Sequence, residues 1–320
     1  YTYLWSWLGV PIIQVPSDVM AMQEIIWETK PDIIIETGIA RGGSAIFLAS
    51  MLQLLGRGTV VGVDIGGTKI SAARLSEGRL SEPCVTETEI SDVDALLAEI
   101  VVSIEAAKGD GIEAVGIGIP GPVEFETGRL RSAPNLPFDD MPLRKVLSER
   151  VGLPVYVDND ATVAALAEAC DGDRIVVRNL VMFTIGTGVG GGLVLRGRVY
   201  RGATGAAGEL GQTMIGAALE RGAPEPGSVP RVGSLEALAA GTALDGLALQ
   251  MAREQPDSAL GRRAAEQGTV EGPDAVELAK DGDESARSVI RVLGERLGIG
   301  IANAINTFDP DEVVIGGGVS

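Results

Sequence analysis

VVGVDIGGTKISAARLSEGRL, residues 60–80, decides the fold. An apolar run from Val60 to Asp64 meets a turn at Gly66 and Gly67. A second run, Ile70 to Leu75, meets another glycine turn, and a third strand, Arg79 to Glu87, follows. The same device returns as VMFTIGTGVGGGLVLRGRVY, residues 181–200: an apolar strand, a polar residue, Ile-Gly, a glycine turn, a second strand, and a third after Gly197. Either hairpin alone would be ordinary, because Gly-Gly turns are common. Two copies in one chain predict two related lobes.

Downstream, Ser91 to Lys108 has helical spacing with Ser91 and Asp94 placed as a capping box. The strand Ala114 to Ile119, the helix Met141 to Val151, the strand Pro154 to Asp158 and the helix Asp160 to Cys170 follow. A Pro- and Gly-rich stretch from Glu220 to Arg231 reads as a surface loop. A long helix, Asp283 to Phe308, is stopped by Asp309-Pro310, and the strand Glu312 to Ile315 enters Gly316-Gly317-Gly318. Gly294, Gly298 and Gly300 on that helix read as close packing. Upstream, a helix (Asp18 to Lys30), a short strand (Asp32 to Glu36), glycines, a helix (Ala45 to Leu55) and the strand Thr59 to Ile65 make one βαβ unit. The order predicts an α/β protein with a mixed sheet.

Composition narrows the chemistry. The chain has 320 residues, 45% of them hydrophobic, and 26 basic against 44 acidic residues give a net charge of −18, which repels a phosphate backbone. Nucleic acid is not an expected partner. No histidine is present, which removes imidazole bases, Ser-His or Cys-His nucleophiles and His-ligated metals. Proton transfer must fall to a carboxylate, Lys, Tyr or Cys. The two cysteines, Cys84 and Cys170, are too few for a Cys-rich zinc site or a disulfide framework, so a reducing cytoplasm is expected. Asn179 to Leu195 is uncharged but carries too many glycines for a lipid-facing helix, and no membrane association is expected.

Backbone N–H groups in a tight glycine turn form an anion-binding nest. DIGGTK supplies Gly66 and Gly67, with Thr68 as hydroxyl donor, Lys69 as cation and Asp64 at the strand end, where a carboxylate can hold Mg²⁺ through water. GTGVGGG offers Thr187 and Gly188. Two such nests suit a polyphosphate. In VDNDATVAALAE, Asp160 follows a buried strand and opens a helix. Alone it would read as an N-cap. Beside two phosphate nests it reads as the carboxylate that takes a proton from an attacking sugar hydroxyl, with Asn159 binding a second hydroxyl.

From about Thr59 to Ser320 the chain resembles the ROK family of sugar kinases. The resemblance rests on DIGGTK at Asp64, GIGIPGPV at Gly116, APNLP at Ala133, DNDA at Asp158, GTGVGGG at Gly186, GAAGELG at Gly205, GSLEALAAG at Gly233 and VIGGGVS at Val314. It implies a two-lobed, actin-like ATPase fold of the duplicated ribonuclease H type, with lobes at 58–173 and 174–320. It implies Asp160 as general base, with Asn135, Asn159, Glu209 and Glu236 on sugar hydroxyls. Both hairpins with Gly316, Gly317 and Gly318 would bind ATP, and Asp64 would lie beside Mg²⁺. The implied reaction is ATP-dependent phosphorylation of a hexose, glucose to glucose 6-phosphate, by a cytoplasmic and homodimeric enzyme of glycolysis. Fructose, mannose and N-acetylated amino sugars are the other candidate acceptors. The alternative is a sugar-binding protein of the same family without turnover, or an inactive chimera.

The chain departs from the family pattern. Gln212 stands where the family usually has His, and 220–234 holds none of the cysteines that complete a structural zinc site, so no zinc is expected. Gln212 would donate to a sugar hydroxyl, and packing alone would hold the loop carrying Glu236. Residues 1–57 instead resemble the opening of the cephalosporin hydroxylase or rhamnosyl methyltransferase family, S-adenosylmethionine-binding proteins of Rossmann type. ETGIARGGS would be its glycine motif, with Glu36, Gly38, Gly42 and Gly43 near the methionine moiety, and VVGVDI its second strand, so both families claim Asp64. A single βαβ unit cannot cover both faces of its strands, which argues against a working methyltransferase.

Overall fold

The computed structural model describes residues 6–7, 10–11, 59–76, 79–109, 111–133, 135–171, 174–216 and 229–318. At the N-terminus β1 (Ser6–Trp7) pairs with β2 (Val10–Pro11). The expected helices at 18–30 and 45–55, the strand at 32–36 and the glycine motif lie outside the described residues. The chain divides into two compact units, 1–119 with 127–157, and 120–126 with 158–320.

In the first unit β3 (Thr59–Ile65) and β4 (Lys69–Ser76) form an antiparallel hairpin with Ile65 opposite Ile70. Strands β5 (Arg79–Leu80) and β6 (Cys84–Glu87) both pair with β4. The expected single strand 79–87 is thus two pieces, broken before Pro83 and Cys84, where proline has no N–H to give the ladder. Helix α1 (Val93–Ala107) is capped by Asp92, whose carboxylate accepts from the N–H of Ala95 at 2.9 Å. This corrects the expected Ser91/Asp94 box: Asp92 has the extended backbone that a cap requires. Leu96, Ile100 and Ile104, four residues apart, are fully buried. Strand β7 (Ile112–Ile119) runs parallel to β3. Strand β8 (Val123–Glu124) belongs to the second unit. The hairpin β9 (Arg129–Ser132) and β10 (Asp139–Met141) and helix α2 (Leu143–Val151) lead to β11 (Val155–Asn159), giving the sheet order β11-β7-β3-β4-β5.

In the second unit helix α3 (Asp160–Ala169) precedes a short pair, β12 (Cys170–Asp171) and β13 (Arg174–Ile175). Then β14 (Leu180–Ile185), β15 (Val189–Leu195) and β16 (Arg198–Val199) form the second meander. Helices α4 (Leu235–Ala239), α5 (Gly241–Glu254), α6 (Ala259–Gln267), α7 (Gly272–Lys280) and α8 (Glu284–Phe308) follow, and β17 (Glu312–Gly316) runs parallel to β14. The sheet order is β16-β15-β14-β17. Each unit therefore has a meander whose first strand is joined in parallel by a later one, as two copies of one device require. In both, the first strand passes straight into an antiparallel hairpin, so the doubly claimed strand 59–65 is built here in the kinase-like manner.

Side-chain alternation along β14 explains its unbroken apolar run. Val181, Phe183 and Ile185 enter a core with Leu235, Leu244, Leu260, Val289 and Leu293 from the helices, while Leu180 and Met182 pack with Ala165 and Ala169 of α3. A strand covered on both faces reads as continuously hydrophobic. On α8, Gly300 packs tightly on Leu235, as expected of a packing glycine, whereas Gly294 and Gly298 face open space.

Gly192 lies under α3, and a Cβ there would overlap the carbonyl of Ala161 and the Cβ of Ala165. Gly192→Ala should cost about 1–3 kcal/mol, read as a lower denaturant midpoint. An unchanged midpoint would mean that helix and strand separate without strain.

Candidate functional site

At the first glycine turn the N–H of Gly66 donates to the carbonyl of Lys69 at 2.9 Å, the Thr88 hydroxyl donates to Gly66 O at 2.7 Å, and the Thr88 N–H donates to Thr68 O at 3.0 Å. The Gly66 amide is thus spent in closing the turn, and Gly67 and Thr68 carry the amides at its tip. Asn135, at φ 66°, sits against this turn: a Cβ on Gly67 would lie 3.3 Å from its Cβ. Asp64 stands one residue before the end of β3, opposite Gly118 of β7. Burial pushes its carboxyl above the ordinary range, and the positive charge of Lys69 pulls the other way.

The second turn lies at the carboxyl ends of two parallel strands, where α/β sheets place ligands. Gly186 N–H donates to Gly188 O at 2.9 Å, and Gly241 N–H, opening α5, donates to Gly186 O at 2.8 Å. Because Thr184 of β14 pairs with Gly316 of β17, the run Gly316–Gly318 begins at the end of β14, where the turn also begins. Gly317 has φ 103°, and a side chain there would strike the backbone of Ile185.

Asn159, not Asp160, caps α3. Its Oδ1 accepts from the N–H of Thr162 at 2.9 Å, and its Nδ2 donates to Gly121 O at 3.3 Å and to Asp160 Oδ1 at 3.0 Å. Asp160 Oδ1 also accepts the N–H of Ala161 at 2.8 Å. Both Asn159 donors are therefore committed, and the residue holds the Asp160 carboxylate in place. The N-cap place that Asp160 taken alone would have filled belongs to Asn159, because Asn159 is the one with extended backbone.

Glu209 shares this field. Its carboxyl is raised above its ordinary value by burial first, then by the negative charges of Glu236 and Asp160. Glu236 is fixed at both oxygens: Oε2 accepts the N–H of Val189 at 2.8 Å, and Oε1 accepts from Gln212 Nε2 at 3.1 Å. Gly188 makes room, since a Cβ there would lie 2.5 Å from Glu236 Oε2. The loop carrying Glu236 is not held by packing alone. Met214 bridges Ser234, Leu235 N–H donates to Thr213 O at 2.8 Å, and the Ser234 hydroxyl caps α4 through Ala237 N–H at 3.2 Å.

Sequence reasoning missed a clamp beneath these groups. Asp158 is 8% exposed; its Oδ1 accepts the N–H of Asn159 at 2.9 Å, and its Oδ2 accepts from Arg201 Nε and Nη2 at 2.9 and 2.6 Å. The guanidinium lies 3.8 Å from the Phe125 ring centroid. Three segments, 120–126, 158–160 and the start of the loop that reaches Glu209, are thereby tied together. The doubled aspartate of VDNDA was the available signal, but nothing in the order of residues points to Arg201.

Among the described residues no three His, Cys, Asp or Glu side chains come together as a metal cage. A Mg²⁺ at Asp64 would accordingly take its other ligands from phosphate oxygens and water, which is the ordinary habit of that ion and fits a lone strand-end carboxylate. No helix among the described residues is long and apolar enough to cross a membrane.

Asp158→Ala should leave Arg201 without its partner and cost on the order of 3 kcal/mol, seen in chemical denaturation. For Glu209 the sign runs opposite to a salt-bridged carboxylate. With the folded value above the unfolded 4.5, ionisation opposes folding, so stability falls as pH rises through the window above 4.5. Glu209→Gln should melt higher than the parent at neutral pH, and the difference should vanish below about pH 4.5.

Family comparison accords with this geometry. Residues 60–320 match the model of the ROK family, and residues 1–114 match that of the rhamnosyl O-methyltransferase/CmcI family. A glucokinase of Halalkalibacterium halodurans is 36% identical over 272 residues, covering 81% of this chain and 80% of the relative. A putative xylose repressor of Caldicellulosiruptor sp. is 39% identical over 209 residues, covering 64% of this chain and 50% of the repressor. The crystal structure of a ROK family glucokinase from Streptomyces griseus, in complex with glucose and AMPPNP, aligns with a TM-score of 0.68 at 33% identity, covering 82% of this chain and 84% of that one. The duplicated meander, the two glycine turns and the DNDA helix start thus have their counterpart in a single family: the chain is an α/β protein of the two-lobed, actin-like ATPase class and belongs to the ROK family.

Proposed function

We propose that the chain transfers the γ-phosphoryl group of ATP to the 6-hydroxyl of a hexose, glucose first. The observation that carries the reading is the Asp160 carboxylate, held by Asn159 and the Ala161 amide in one field with Glu209 and Glu236. In a chain without histidine, such a carboxylate is the group suited to accept the hydroxyl proton as the sugar oxygen attacks phosphorus. The likeness to a glucokinase crystallised with glucose and AMPPNP supports both substrates. Asn135, Asn159, Glu209, Gln212 and Glu236 would bind sugar hydroxyls. For Asn159 the uncommitted capacity is a lone pair on Oδ1.

The phosphates would meet the amides of Gly67 and Thr68, the Lys69 ammonium, Thr187, Gly188 and the run Gly316–Gly318. A Mg²⁺ held through water by Asp64 would neutralise charge on the phosphates. The lobe limits 58–173 and 174–320, the appended segment 1–57 and a cytoplasmic location belong to the same proposal.

A second reading, sugar binding without turnover, is favoured by the xylose repressor relative. ATP consumption with glucose, fructose, mannose and N-acetylglucosamine separates the two. Asp160→Asn should reduce turnover by about 10²–10⁴-fold and leave sugar affinity nearly intact. Absence of turnover with every sugar, in a folded protein that binds one of them, would establish the second reading instead.

A further inference from the structure

Arg201 is outside the group of residues that the proposed function assigns to sugar or nucleotide, yet it bears on Asp160 by two routes. The first runs through the strand end. Nε and Nη2 of Arg201 both donate to Asp158 Oδ2, at 2.9 and 2.6 Å, and Asp158 Oδ1 accepts the N–H of Asn159 at 2.9 Å. The second runs through the segment 120–126. The guanidinium lies 3.8 Å from the centroid of the Phe125 ring, and Gly121 O of the same segment accepts from Asn159 Nδ2 at 3.3 Å. Both routes end on Asn159, whose Nδ2 also donates to Asp160 Oδ1 at 3.0 Å. Contacts made by Arg201 thus locate the Asn159 backbone and the acceptor of its side-chain amide, and Asn159 locates the Asp160 carboxylate. A planar guanidinium can give two donors to one carboxylate oxygen while its face rests on a ring; an ammonium cannot do both.

We propose that Arg201 is a positioning residue for phosphoryl transfer, fixing the Asp160 carboxylate through Asp158, Phe125 and Asn159 rather than acting on the sugar itself; this rests on the kinase reading above. A general base must stand within hydrogen-bond reach of the proton it takes, so a small displacement of its oxygen is costly to the chemical step. The groups assigned to sugar hydroxyls at Glu209 and Glu236 are held by other segments, so sugar binding should survive when Arg201 is changed. The loss belongs in kcat and not in KM for the sugar.

The test measures ATP consumption by the full chain while the sugar that the parent protein turns over fastest is varied. Parent, Arg201→Met, Asp160→Asn and the double variant are compared, with thermal melting to set a temperature at which all are folded. Arg201→Met should lower kcat by about tenfold or more, up to about 10²-fold, and leave KM for the sugar within about twofold. In the Asp160→Asn background the same substitution should change the residual turnover by less than about twofold, because the group it positions is gone. If the methionine variant does not fold, Arg201→Lys, which keeps the charge but loses the planar face and the paired donors, takes its place with the same expected split. An unchanged kcat, a rise in KM alone, or an equal loss in both backgrounds would overturn the assignment and leave the kinase reading standing. A folded parent protein that consumes no ATP with any of the sugars would overturn both.

Discussion

A run of glycines in one strand brings the candidate site together. Along β15 and the turn before it, missing side chains let three other segments approach the backbone. Gly192 and Gly190 accept α3, which begins with Asp160; Gly191 accepts the backbone of Gly208 beside Glu209; and Gly188 accepts the Glu236 carboxylate. Gly211, next to Gln212, lies against the carbonyl of Val189 in the same way. Four groups of the proposed sugar site are thereby hung on a single strand, and any Cβ in the run would displace one of them. Close approach of backbones is glycine's particular use, and its conformational entropy cost is met here by strands buried on both faces.

Around that strand, neutral donors hold two of the acidic groups. Asn159 and the Ala161 amide hold Asp160, the Val189 amide and Gln212 hold Glu236, and the lower residue Asp158 takes a guanidinium. Neutral donors fix a carboxylate without cancelling its charge, so the field stays negative, and the Glu209 carboxyl, raised first by burial, is raised further by Glu236 and Asp160. Such a field favours a hydroxyl-rich ligand, whose protons the carboxylates accept. Residues 220–234 hold none of the cysteines that the family pattern places there. The turn at Gln212 and the start of α4 are joined instead by a main-chain bridge, a serine cap and one amide–carboxylate bond.

Much of this was legible in the order of residues. Glycine turns after apolar strands, repeated at residues 60–80 and 181–200, announced the duplicated meander because their period and punctuation are local properties. The helix start at Asn159-Asp160 and the glycine run after Val314 were equally visible. Local chemistry also set the limits. The cap of α1 was misplaced by one residue, Ser91 for Asp92, since which of several adjacent polar residues takes extended backbone depends on how the preceding strand or loop arrives. Gly294 and Gly298 looked like packing glycines, yet only Gly300 meets a neighbour, because spacing on a helix does not say which face is covered.

The sequence by itself determined the family, the α/β class, the absence of imidazole chemistry and the candidate carboxylates, because each follows from residue identity and short-range spacing. Tertiary structure alone decided how those groups are used. Arg201 finds Asp158 43 residues earlier in the chain, and Gln212 gives its donor to Glu236 24 residues later. A hydrogen bond consumes a particular lone pair or proton, and that assignment is made only when folding brings distant segments into contact.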